Sequence, residues 1–193
     1  MSKVTVIGGA GFVGRYLIRQ LTEQGHSIRV ATRDPEAANF LKPMGGVGQI
    51  QAVQANIRDD NSIFRAISGS DSIINLAGVM FPSRLQSFQA IHESGAARVA
   101  QAAVDAEVAH FIHVSALGAD AHGKSNYAQS KAAGEAAVRA VYPNAIIIRP
   151  SIIFGPEDKF FNLFARIATL STIIPLFGGG HNYTHCLLYT SDA

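Results

Sequence analysis

A glycine-rich turn between an apolar strand and an amphipathic helix constrains the fold of this chain more than any other feature of its sequence. Residues 4–15 read Val-Thr-Val-Ile-Gly-Gly-Ala-Gly-Phe-Val-Gly-Arg. Gly8 permits a tight turn, Gly11 lets the backbone approach a phosphate closely, and Gly14 lets the helix pack against the strand. The helix N-terminus offers free N–H groups and partial positive charge to that phosphate. Together these features predict a dinucleotide-binding turn.

The rest of the sequence alternates between apolar runs and amphipathic segments. The predicted strands are 4–7, 26–32, 50–55, 71–77, 111–115 and 145–149. The predicted helices are 14–24, a short one after Asp34-Pro35, one from Asp59 or Asp60 to 67, 85–106 and 126–141. The first, fourth, fifth and sixth strands are almost continuously apolar, which is typical of parallel strands buried on both faces. This alternation predicts an α/β fold of the Rossmann type, with a doubly wound parallel sheet.

Composition and charge narrow the function class. The 193 residues are 48% hydrophobic and 16% charged, with a formal net charge of +2, as expected for a compact soluble domain. The absence of a Lys/Arg-rich run argues against nucleic acid, and no apolar run is long enough to predict a transmembrane segment. The chain starts almost directly on a strand, so we expect no leader peptide. The single cysteine, Cys186, indicates a reducing compartment, and we expect a cytoplasmic protein.

A second chemical signal is the segment Tyr127-Ala-Gln-Ser-Lys131, in the helix predicted after the fifth strand. A spacing of four residues places Tyr127 and Lys131 on one face, one turn apart. A nearby lysine ammonium lowers the pKa of a phenol because it favours the phenolate. We predict that Tyr127 is a general acid or base toward a substrate oxygen, and that Lys131 lowers its pKa and hydrogen-bonds a nicotinamide ribose. An ordinary exposed pair is the alternative.

Several segments resemble the extended or atypical branch of the short-chain dehydrogenase/reductase superfamily. They are Gly-Gly-Ala-Gly-Phe-Val-Gly at 8–14, Asn75-Leu-Ala-Gly78, Tyr127-x-x-x-Lys131 and Arg149-Pro-Ser-Ile-Ile-Phe-Gly-Pro156. Within that branch, residues 113–120, 127–135 and 154–160 resemble the subgroup that contains the nucleotide-binding accessory subunit of respiratory complex I and its bacterial relatives. The resemblance covers residues 3 to about 180.

The resemblance implies a set of cofactor-binding residues at the carboxyl ends of the strands. They are Gly8, Gly11, Phe12, Val13 and Gly14 at the pyrophosphate, Asn56 and Ile57 at the adenine, Ala77 and Gly78 at the ribose next to the nicotinamide, and Pro150, Ser151 and Ile152 at the nicotinamide ring. Ligands bind at this edge of open α/β sheets.

The choice of cofactor depends on the end of the second strand, which reads Thr32-Arg33-Asp34. NAD enzymes tend to place an acidic residue there for the ribose 2′-hydroxyl, and NADP enzymes an arginine. Arg33 is suited to a 2′-phosphate through a charge-assisted fork. Asp34 precedes Pro35 and is better explained as a helix N-cap, although it stays open as a ribose ligand. We predict that Thr32 and Arg33 contact the nucleotide and that NADP(H) is favoured over NAD(H).

Two further predictions concern catalysis and metals. Ser115 ends the fifth strand, where the wider superfamily has a Ser or Thr that hydrogen-bonds the substrate oxygen beside the tyrosine. The resemblance implies this catalytic role, and satisfaction of backbone groups at a strand end is the alternative. We predict no metal site, because His181, His185 and Cys186 lack a second ligand pair or an acidic partner.

The last residues differ in character from the rest. Residues 186–193, Cys-Leu-Leu-Tyr-Thr-Ser-Asp-Ala, resemble what one reading frame of a transposase sequencing adapter encodes. We expect them to be non-native and poorly packed. Extended superfamily members carry a seventh strand and a C-terminal substrate domain. We therefore expect an NAD(P)-binding Rossmann domain over 1–180, the start of a missing C-terminal part at 181–185, and a truncated substrate domain.

The resemblance implies an NAD(P)-binding protein similar to the complex I accessory subunit, and it leaves several functions open. One is hydride transfer between NADP(H) and a carbonyl or alcohol carbon of an unknown small-molecule substrate, with a nucleotide-sugar epimerase or dehydratase as a variant. Another is a non-catalytic subunit, stabilised by its nucleotide and docked on a membrane-bound respiratory complex, peripheral to the inner membrane. A redox sensor is a third. The fold alone does not decide among them.

Overall fold

The computed structural model describes residues 1–83, 86–158, 161–170 and 186–188. The chain divides into two compact units, Met1–Arg149 and Pro150–Ala193. The domain boundaries predicted at residues 180 and 185 lie outside the described residues.

The first unit is built on a parallel sheet. Its strands are β1 (Lys3–Ile7), β2 (Ser27–Thr32), β3 (Ile50–Gln54), β4 (Ser72–Asn75), β5 (His110–Val114) and β6 (Ile146–Ile148). They form a 6-stranded sheet in the order β3-β2-β1-β4-β5-β6, and every neighbouring pair is parallel. This is the strand order of a doubly wound Rossmann-type sheet. The predicted fold class is therefore confirmed.

The connections between the strands are largely helical. They are α1 (Phe12–Glu23), a 3-10 helix (Glu36–Met44), α2 (Asp60–Ile67), a π-helical turn (Gln89–Glu93) that continues into α3 (Ser94–Asp105), and α4 (Asn126–Val141). The helix predicted at 126–141 has the observed bounds. The helix predicted at 85–106 begins later, because Gln86 forms an isolated bridge with Ser83. Leu85 lies outside the described residues.

Two apolar cores cover the two faces of the sheet. Adjacent strand residues point to opposite faces, so Val6 and Ile7 of β1 belong to different cores. Ile7 packs in the core that includes Val99 of α3, together with residues of α2 and α4. Val6 packs in the core that includes Ile18 of α1 and Leu41 of the 3-10 helix. Helices on both faces fix the orientation of each strand end.

The exposure of strand β6 differs from the prediction. The sequence predicts that β6 is buried on both faces, but Ile146 is 55% exposed and Ile148 is 45% exposed. The reason is its position: β6 is the edge strand of the sheet, and α1 and the 3-10 helix pack against β2 and β3 instead. An apolar run alone does not distinguish an edge strand from a central one.

The strand order reverses between β1 and β4. β1 pairs with β2 on one side and with β4 on the other. The turns that follow these two strands therefore leave the sheet in opposite directions, and a crevice opens between them at the carboxyl edge. The topology places the glycine-rich turn beside this crevice.

In the second unit, β7 (Ile152–Phe154) pairs in parallel with β8 (Cys186–Leu188), and α5 spans Phe161–Leu170. The backbone of residues 186–188, at the start of the predicted non-native tail, forms the strand β8, and the poor packing of that tail stays a prediction. Residues 189–193 lie outside the described part of the chain. Within that part, no helix is both long and apolar enough to cross a membrane.

Candidate functional site

A cavity of about 200 Å³ opens at the carboxyl ends of β1 to β4, in the first unit. Its lining includes Gly8 and Gly11 after β1, Thr32 and Arg33 at the end of β2, Asn56 and Ile57 after β3, and Ala77 and Gly78 after β4. The structure thus brings the residues predicted from these strand ends together around one space. It also adds Arg58, Gln86 and Ile91, which the sequence did not indicate.

The glycine-rich turn has the geometry that its sequence predicts. Gly8 has a φ of +78°, in the left-handed region that favours glycine. The N–H of Gly11 donates to the Gly8 carbonyl at 3.0 Å, so the turn closes on itself. A Cβ at Gly11 would lie 3.2 Å from the Gly8 carbonyl oxygen, and a Cβ at Gly14 would overlap the backbone of Gly9. Bulkier residues at these positions would displace the turn.

Helix α1 begins directly after this turn, with Gly11 as its N-cap. Phe12, Val13 and Gly14 are its first residues, and no side chain caps their N–H groups. The first N–H groups of a helix have no partner within the helix. They remain as donors for an anion at this helix end.

Asp34 acts as a helix cap, as the sequence predicts. Its Oδ1 accepts the N–H groups of Glu36 and Ala37, each at 3.1 Å, at the start of the 3-10 helix. The neighbouring Arg33 side chain is exposed. Arg33 lines the 200 Å³ cavity and also a second cavity of about 510 Å³, whose lining includes Arg65. The end of β2 therefore offers cationic donors, while the adjacent carboxylate is already engaged.

Tyr127 and Lys131 lie in the first turns of α4. The Tyr127 ring makes edge-to-face contacts with Phe88 and His92, with centroid distances of 5.8 Å and 5.6 Å. Lys131 is buried, and its Nζ donates to the Val114 carbonyl at the end of β5, at 3.0 Å. A Cβ at Gly78 would lie 3.8 Å from this Nζ. Lys131 therefore joins the end of β5 to the loop after β4.

The pKa values of this pair correct the prediction from the sequence. The sequence predicts that Lys131 lowers the pKa of Tyr127, but burial raises the pKa of Tyr127 above its ordinary value of 10.0. Burial also lowers the pKa of Lys131 to about 8, although the nearby Glu135 carboxylate acts in the opposite direction. Desolvation, and not the charge of Lys131, therefore sets the direction of the Tyr127 shift. In this environment Tyr127 is a protonated phenol at neutral pH.

Ser115 is buried at the end of β5, next to the carbonyl that Lys131 contacts. Its N–H donates to the Ile148 carbonyl of β6 at 2.8 Å. Its hydroxyl helps to lower the pKa of Glu135, but within the described residues it has no hydrogen bond of standard geometry. The side chain is therefore not used to satisfy the strand end, and its catalytic role stays a prediction.

Two polar residues that the sequence did not predict as site residues are hydrogen-bonded beside the cavity. Asn75 ends β4 and is fully buried. Its Oδ1 accepts the Ala77 N–H at 3.1 Å, and its Nδ2 lies 3.2 Å from Nδ1 of His113. Burial, followed by the charge of Lys131, lowers the pKa of His113 to about 4, so it is a neutral acceptor. The signal in the sequence was a polar residue at the end of each apolar strand.

One turn beyond Lys131 on α4, an ion pair between a buried carboxylate and a half-exposed arginine ties α4 to the end of β6. Glu135 is 1% exposed, and its carboxylate accepts two hydrogen bonds from Arg149, at 2.8 Å and 2.6 Å. Arg139 lies 3.5 Å away, one turn further along α4. Burial alone would raise the pKa of Glu135, but the Arg149 hydrogen bonds, the Ser115 hydroxyl and the two arginine charges hold it below its ordinary value.

The remaining predicted residues belong to the second unit. Pro150 and Ser151 open it, and Ile152 begins β7. Their position beside a nicotinamide ring stays a prediction. His181 and His185, for which the sequence predicts no metal site, lie outside the described residues.

Replacing Lys131 by methionine should change how stability depends on pH. The folded-state pKa of Lys131, about 8, is below the ordinary 10.5. Between these values the unfolded chain binds more protons, so the wild type gains stability as the pH rises. Lys131→Met lacks this gain. We expect its Tm relative to the wild type to fall, by on the order of 4–7 °C, between about pH 7.5 and about pH 9.5.

Thermal unfolding followed by circular dichroism measures this difference. Lys124→Met is the matched control, because Lys124 is exposed and the same charge is removed. Its Tm should stay parallel to that of the wild type across the same pH range. A Lys131→Met profile that is also parallel to the wild type would show that Lys131 is not strained by burial.

The fold and the cavity together define a class of protein: a doubly wound α/β domain with a glycine-rich turn at its topological switch point. The chain belongs to the NAD dependent epimerase/dehydratase family, whose family model matches residues 4–185. The predicted resemblance to the short-chain dehydrogenase/reductase type is thereby confirmed.

Its relatives include respiratory and reductase proteins. The chain is 40% identical over 185 residues to NADH dehydrogenase [ubiquinone] 1 alpha subcomplex subunit 9, mitochondrial, of Dictyostelium discoideum, covering 94% of this chain and 51% of the relative. It is 38% identical to the mouse protein of the same name, covering 97% of this chain and 50% of the relative. It is 36% identical to a ceramide reductase of Caulobacter vibrioides, covering 90% of this chain and 53% of the relative. The chain spans about half the length of these relatives.

Solved structures with the same fold include sugar-nucleotide enzymes. A dTDP-glucose 4,6-dehydratase, DesIV from Streptomyces venezuelae, solved with NAD and DAU bound, gives a TM-score of 0.78 at 25% identity, covering 96% of this chain and 67% of that chain. A UDP-glucuronic acid 4-epimerase from Bacillus cereus gives a TM-score of 0.78 at 16% identity, covering 96% of this chain and 69% of that chain. At 16% identity, the similarity to the epimerase shows only that the fold is shared.

Proposed function

We propose that the first unit binds a dinucleotide at the carboxyl ends of β1 to β4, with NADP(H) preferred over NAD(H). The observation that carries this proposal is the convergence of four strand-end turns on one cavity at the switch point of the sheet. The lack of a Cβ at Gly8 and Gly11, and the uncapped start of α1, fit a pyrophosphate there. The NAD bound to the solved DesIV structure supports the same cofactor class.

The predicted residues fit the other parts of a dinucleotide. Asn56 and Ile57 would flank the adenine, and Ala77 and Gly78 would border the ribose next to the nicotinamide. Lys131 reaches the same loop after β4, since a Cβ at Gly78 would lie 3.8 Å from its Nζ. An ammonium group has three N–H donors, and Val114 accepts one of them, so others remain for ribose hydroxyls.

The preference for NADP(H) rests on charge at the end of β2. Arg33 lines both neighbouring cavities, and Arg65 lines the larger one. Asp34 is engaged as a cap, and Asp59, which also lines the larger cavity, accepts the Ser62 N–H at 3.1 Å. Both carboxylates thus serve helix starts. Two arginine guanidinium groups suit a 2′-phosphate, because each offers paired donors and a permanent charge.

Titration of the chain with NADPH and with NADH, followed by nicotinamide fluorescence, tests this proposal. We expect Arg33→Ala to weaken NADPH binding by roughly tenfold to a hundredfold, because a charge-assisted contact is lost, and to leave NADH binding unchanged. Arg19→Ala is the matched control, since this exposed arginine of α1 carries the same charge. Equal or tighter NADH binding by the wild type would contradict the preference and return Asp34 as the ribose ligand.

For catalysis, we propose that Tyr127, Lys131 and Ser115 support hydride transfer to a carbonyl carbon of a small molecule. The nicotinamide, when bound, supplies the hydride. Tyr127 is protonated at neutral pH because burial raises its pKa, so its hydroxyl can give a proton to the substrate oxygen. The Ser115 hydroxyl would hydrogen-bond the same oxygen. Pro150, Ser151 and Ile152 would border the ring.

A second candidate is a docking subunit of a membrane-bound respiratory complex, located at the inner membrane. The relatives named as NADH dehydrogenase subunits support it. In that role the bound nucleotide stabilises the fold by mass action. Comparison of NADPH oxidation by the wild type and Tyr127→Phe separates the two candidates. Turnover lost in Tyr127→Phe supports an enzyme, whereas NADPH binding with no turnover in either protein supports the subunit.

A further inference from the structure

His92 joins the two parts of the candidate site that the proposed function needs to hold together. It is 2% exposed and lies in the π-helical turn Gln89–Glu93. Its Nε2 accepts the Val79 N–H at 3.0 Å, in the loop after β4. Its Nδ1 lies 2.9 Å from Oγ of Ser130, in the first turns of α4. A single side chain therefore connects the cavity wall to the helix that carries Tyr127.

The hydrogen bonds determine which ring nitrogen carries the proton. The Val79 N–H is a donor, so Nε2 of His92 is the unprotonated nitrogen. The Ser130 hydroxyl donates its only proton to the Tyr127 carbonyl, at 2.8 Å, so its oxygen accepts from His92. The His92 Nδ1 must then carry the hydrogen. The hydrogen bond from Val79 and the hydrogen bond to Ser130 therefore require the same His92 tautomer, with the hydrogen on Nδ1.

A charged imidazolium would not fit this arrangement. Its Nε2 would carry a hydrogen directed at the N–H of Val79, which is also a donor. Burial, followed by the positive charge of Lys131, lowers the pKa of His92 to about 4, although the Val79 contact acts in the opposite direction and His113 adds slightly to the shift. His92 is thus a neutral hydrogen-bonding group at ordinary pH.

Packing around His92 leaves it little freedom. Its ring stacks on Phe88 with a centroid distance of 5.2 Å and meets the edge of Tyr127 at 5.6 Å. A Cβ at Gly134 would overlap the His92 carbonyl, so α4 lies directly against the π-helical turn. π-helical turns inside α-helices occur frequently at functional sites. Here the wide turn places the imidazole between the loop after β4 and α4.

We propose that His92 is a positioning residue, which as the Nδ1–H tautomer ties the Val79 loop to the first turns of α4 and so sets the distance between the cavity wall and Tyr127. Its effect on nucleotide affinity rests on the proposed function, because Ala77 and Gly78 precede Val79 in the same loop. His92 acts through Val79 and Ser130 and needs no contact with the nucleotide. Breaking the His92 contacts should weaken binding of the nicotinamide half of the nucleotide and leave binding of the adenine half unchanged.

The tautomer is tested on the wild-type chain by ¹⁵N NMR of the histidine ring. We expect a protonated Nδ1 and an unprotonated Nε2 for His92 at neutral pH. The opposite tautomer, or an imidazolium, would overturn the proposal. This measurement requires no variant and no nucleotide, so it stands even if dinucleotide binding fails.

Two conservative variants separate the two hydrogen bonds. The amide oxygen of His92→Gln can replace Nε2 as acceptor for Val79, whereas the amide nitrogen of His92→Asn can replace Nδ1 as donor to Ser130. We expect amide exchange at Val79 to be roughly tenfold faster in His92→Asn and close to wild type in His92→Gln. Equal exchange rates in both variants and the wild type would overturn the proposal.

The functional part is tested with NADPH and with 2′,5′-ADP, which lacks the nicotinamide half. We expect His92→Asn to weaken NADPH binding by roughly tenfold and to leave 2′,5′-ADP binding unchanged, whereas His92→Gln, which keeps the contact with the Val79 loop but not the one with Ser130, should weaken NADPH binding less. Equal weakening of both ligands would indicate a general structural effect and overturn the positioning role. Failure of the wild type to bind either ligand would contradict the proposed function instead, while the NMR measurements would still decide the role of His92.

Discussion

Replacing Gly14 by alanine is expected to abolish nucleotide binding and to lower the free energy of unfolding by about 3 kcal/mol, in the upper part of the range for overpacking. A Cβ at Gly14 would overlap the Gly9 carbonyl and lie 2.5 Å from the Gly9 Cα. Backbone atoms cannot rotate away as a side chain can, so α1 must move off the turn. That movement would displace the N–H groups of Phe12 and Val13 from the cavity.

Urea unfolding and NADPH titration measure the two effects on the same variant. Gly46→Ala is the control, because a Cβ there would lie 3.5 Å from the end of the flexible Gln49 side chain, an ordinary contact. We expect it to change neither quantity. If Gly14→Ala retained wild-type stability and affinity, the close approach of α1 to the turn would not be required for binding.

The second large effect is expected for Arg149→Met, which removes the main partner of a buried carboxylate. Glu135 would keep its burial, lose both short hydrogen bonds and retain only the 3.5 Å contact with Arg139, and a buried charge with so little compensation is destabilising. Arg139→Met removes the same charge from the weaker contact at 3.5 Å, on a side chain that is 54% exposed. We expect the loss of stability in Arg149→Met to be several times that in Arg139→Met.

The pH dependence of this effect has a definite sign. In the wild type the pKa of Glu135 is lowered, so the ion pair contributes stability above the ordinary pKa of 4.5 and loses it as the pH falls through the folded-state value. In Arg149→Met we expect burial, which acts to raise that pKa, to outweigh the remaining contacts with Ser115 and Arg139. The variant should therefore recover stability as the pH falls from about 7 to about 5, because the buried carboxylate becomes protonated. Urea midpoints at the two pH values measure this.

Two results would contradict that account. Equal losses in Arg149→Met and Arg139→Met would show that the short hydrogen bonds to Glu135 add nothing beyond a surface charge pair. A decrease in stability of Arg149→Met toward pH 5 would show that its carboxylate is solvated rather than buried. The double variant Arg149→Met/Glu135→Gln should be more stable than Arg149→Met at pH 7, since the buried charge is gone.

Much of the fold could be predicted because its signals are local. Apolar runs separated by helical periodicity gave the strands of the sheet in the correct chain order, and the Ser125 cap contributes to the start of α4 at Asn126. The predictions that were wrong concern burial, which depends on the tertiary structure. Ile146 and Ile148 look like core residues in sequence, and their exposure follows from the edge position of β6.

The candidate site, like the fold, could be predicted from the sequence only in part. The residues expected after β1 to β4 meet at one cavity, because parallel strands in this order bring their carboxyl ends to one edge. The direction of the Tyr127 pKa could not be predicted from its spacing to Lys131, because spacing gives proximity and not burial. His92 was missed because its partners, Val79 and Ser130, are distant in the sequence.

The sequence by itself determined the glycine-rich turn, the α/β alternation, the family and the positions of Tyr127 and Lys131, since each of these depends on neighbouring residues and their periodicity. Only the tertiary structure decided which polar groups are buried and which groups they bond: the pKa directions of Tyr127 and Lys131, the ion pair of Glu135 with Arg149, and the contacts of His92. The physical reason is that desolvation and hydrogen bonding depend on groups that the fold brings together from separate parts of the chain.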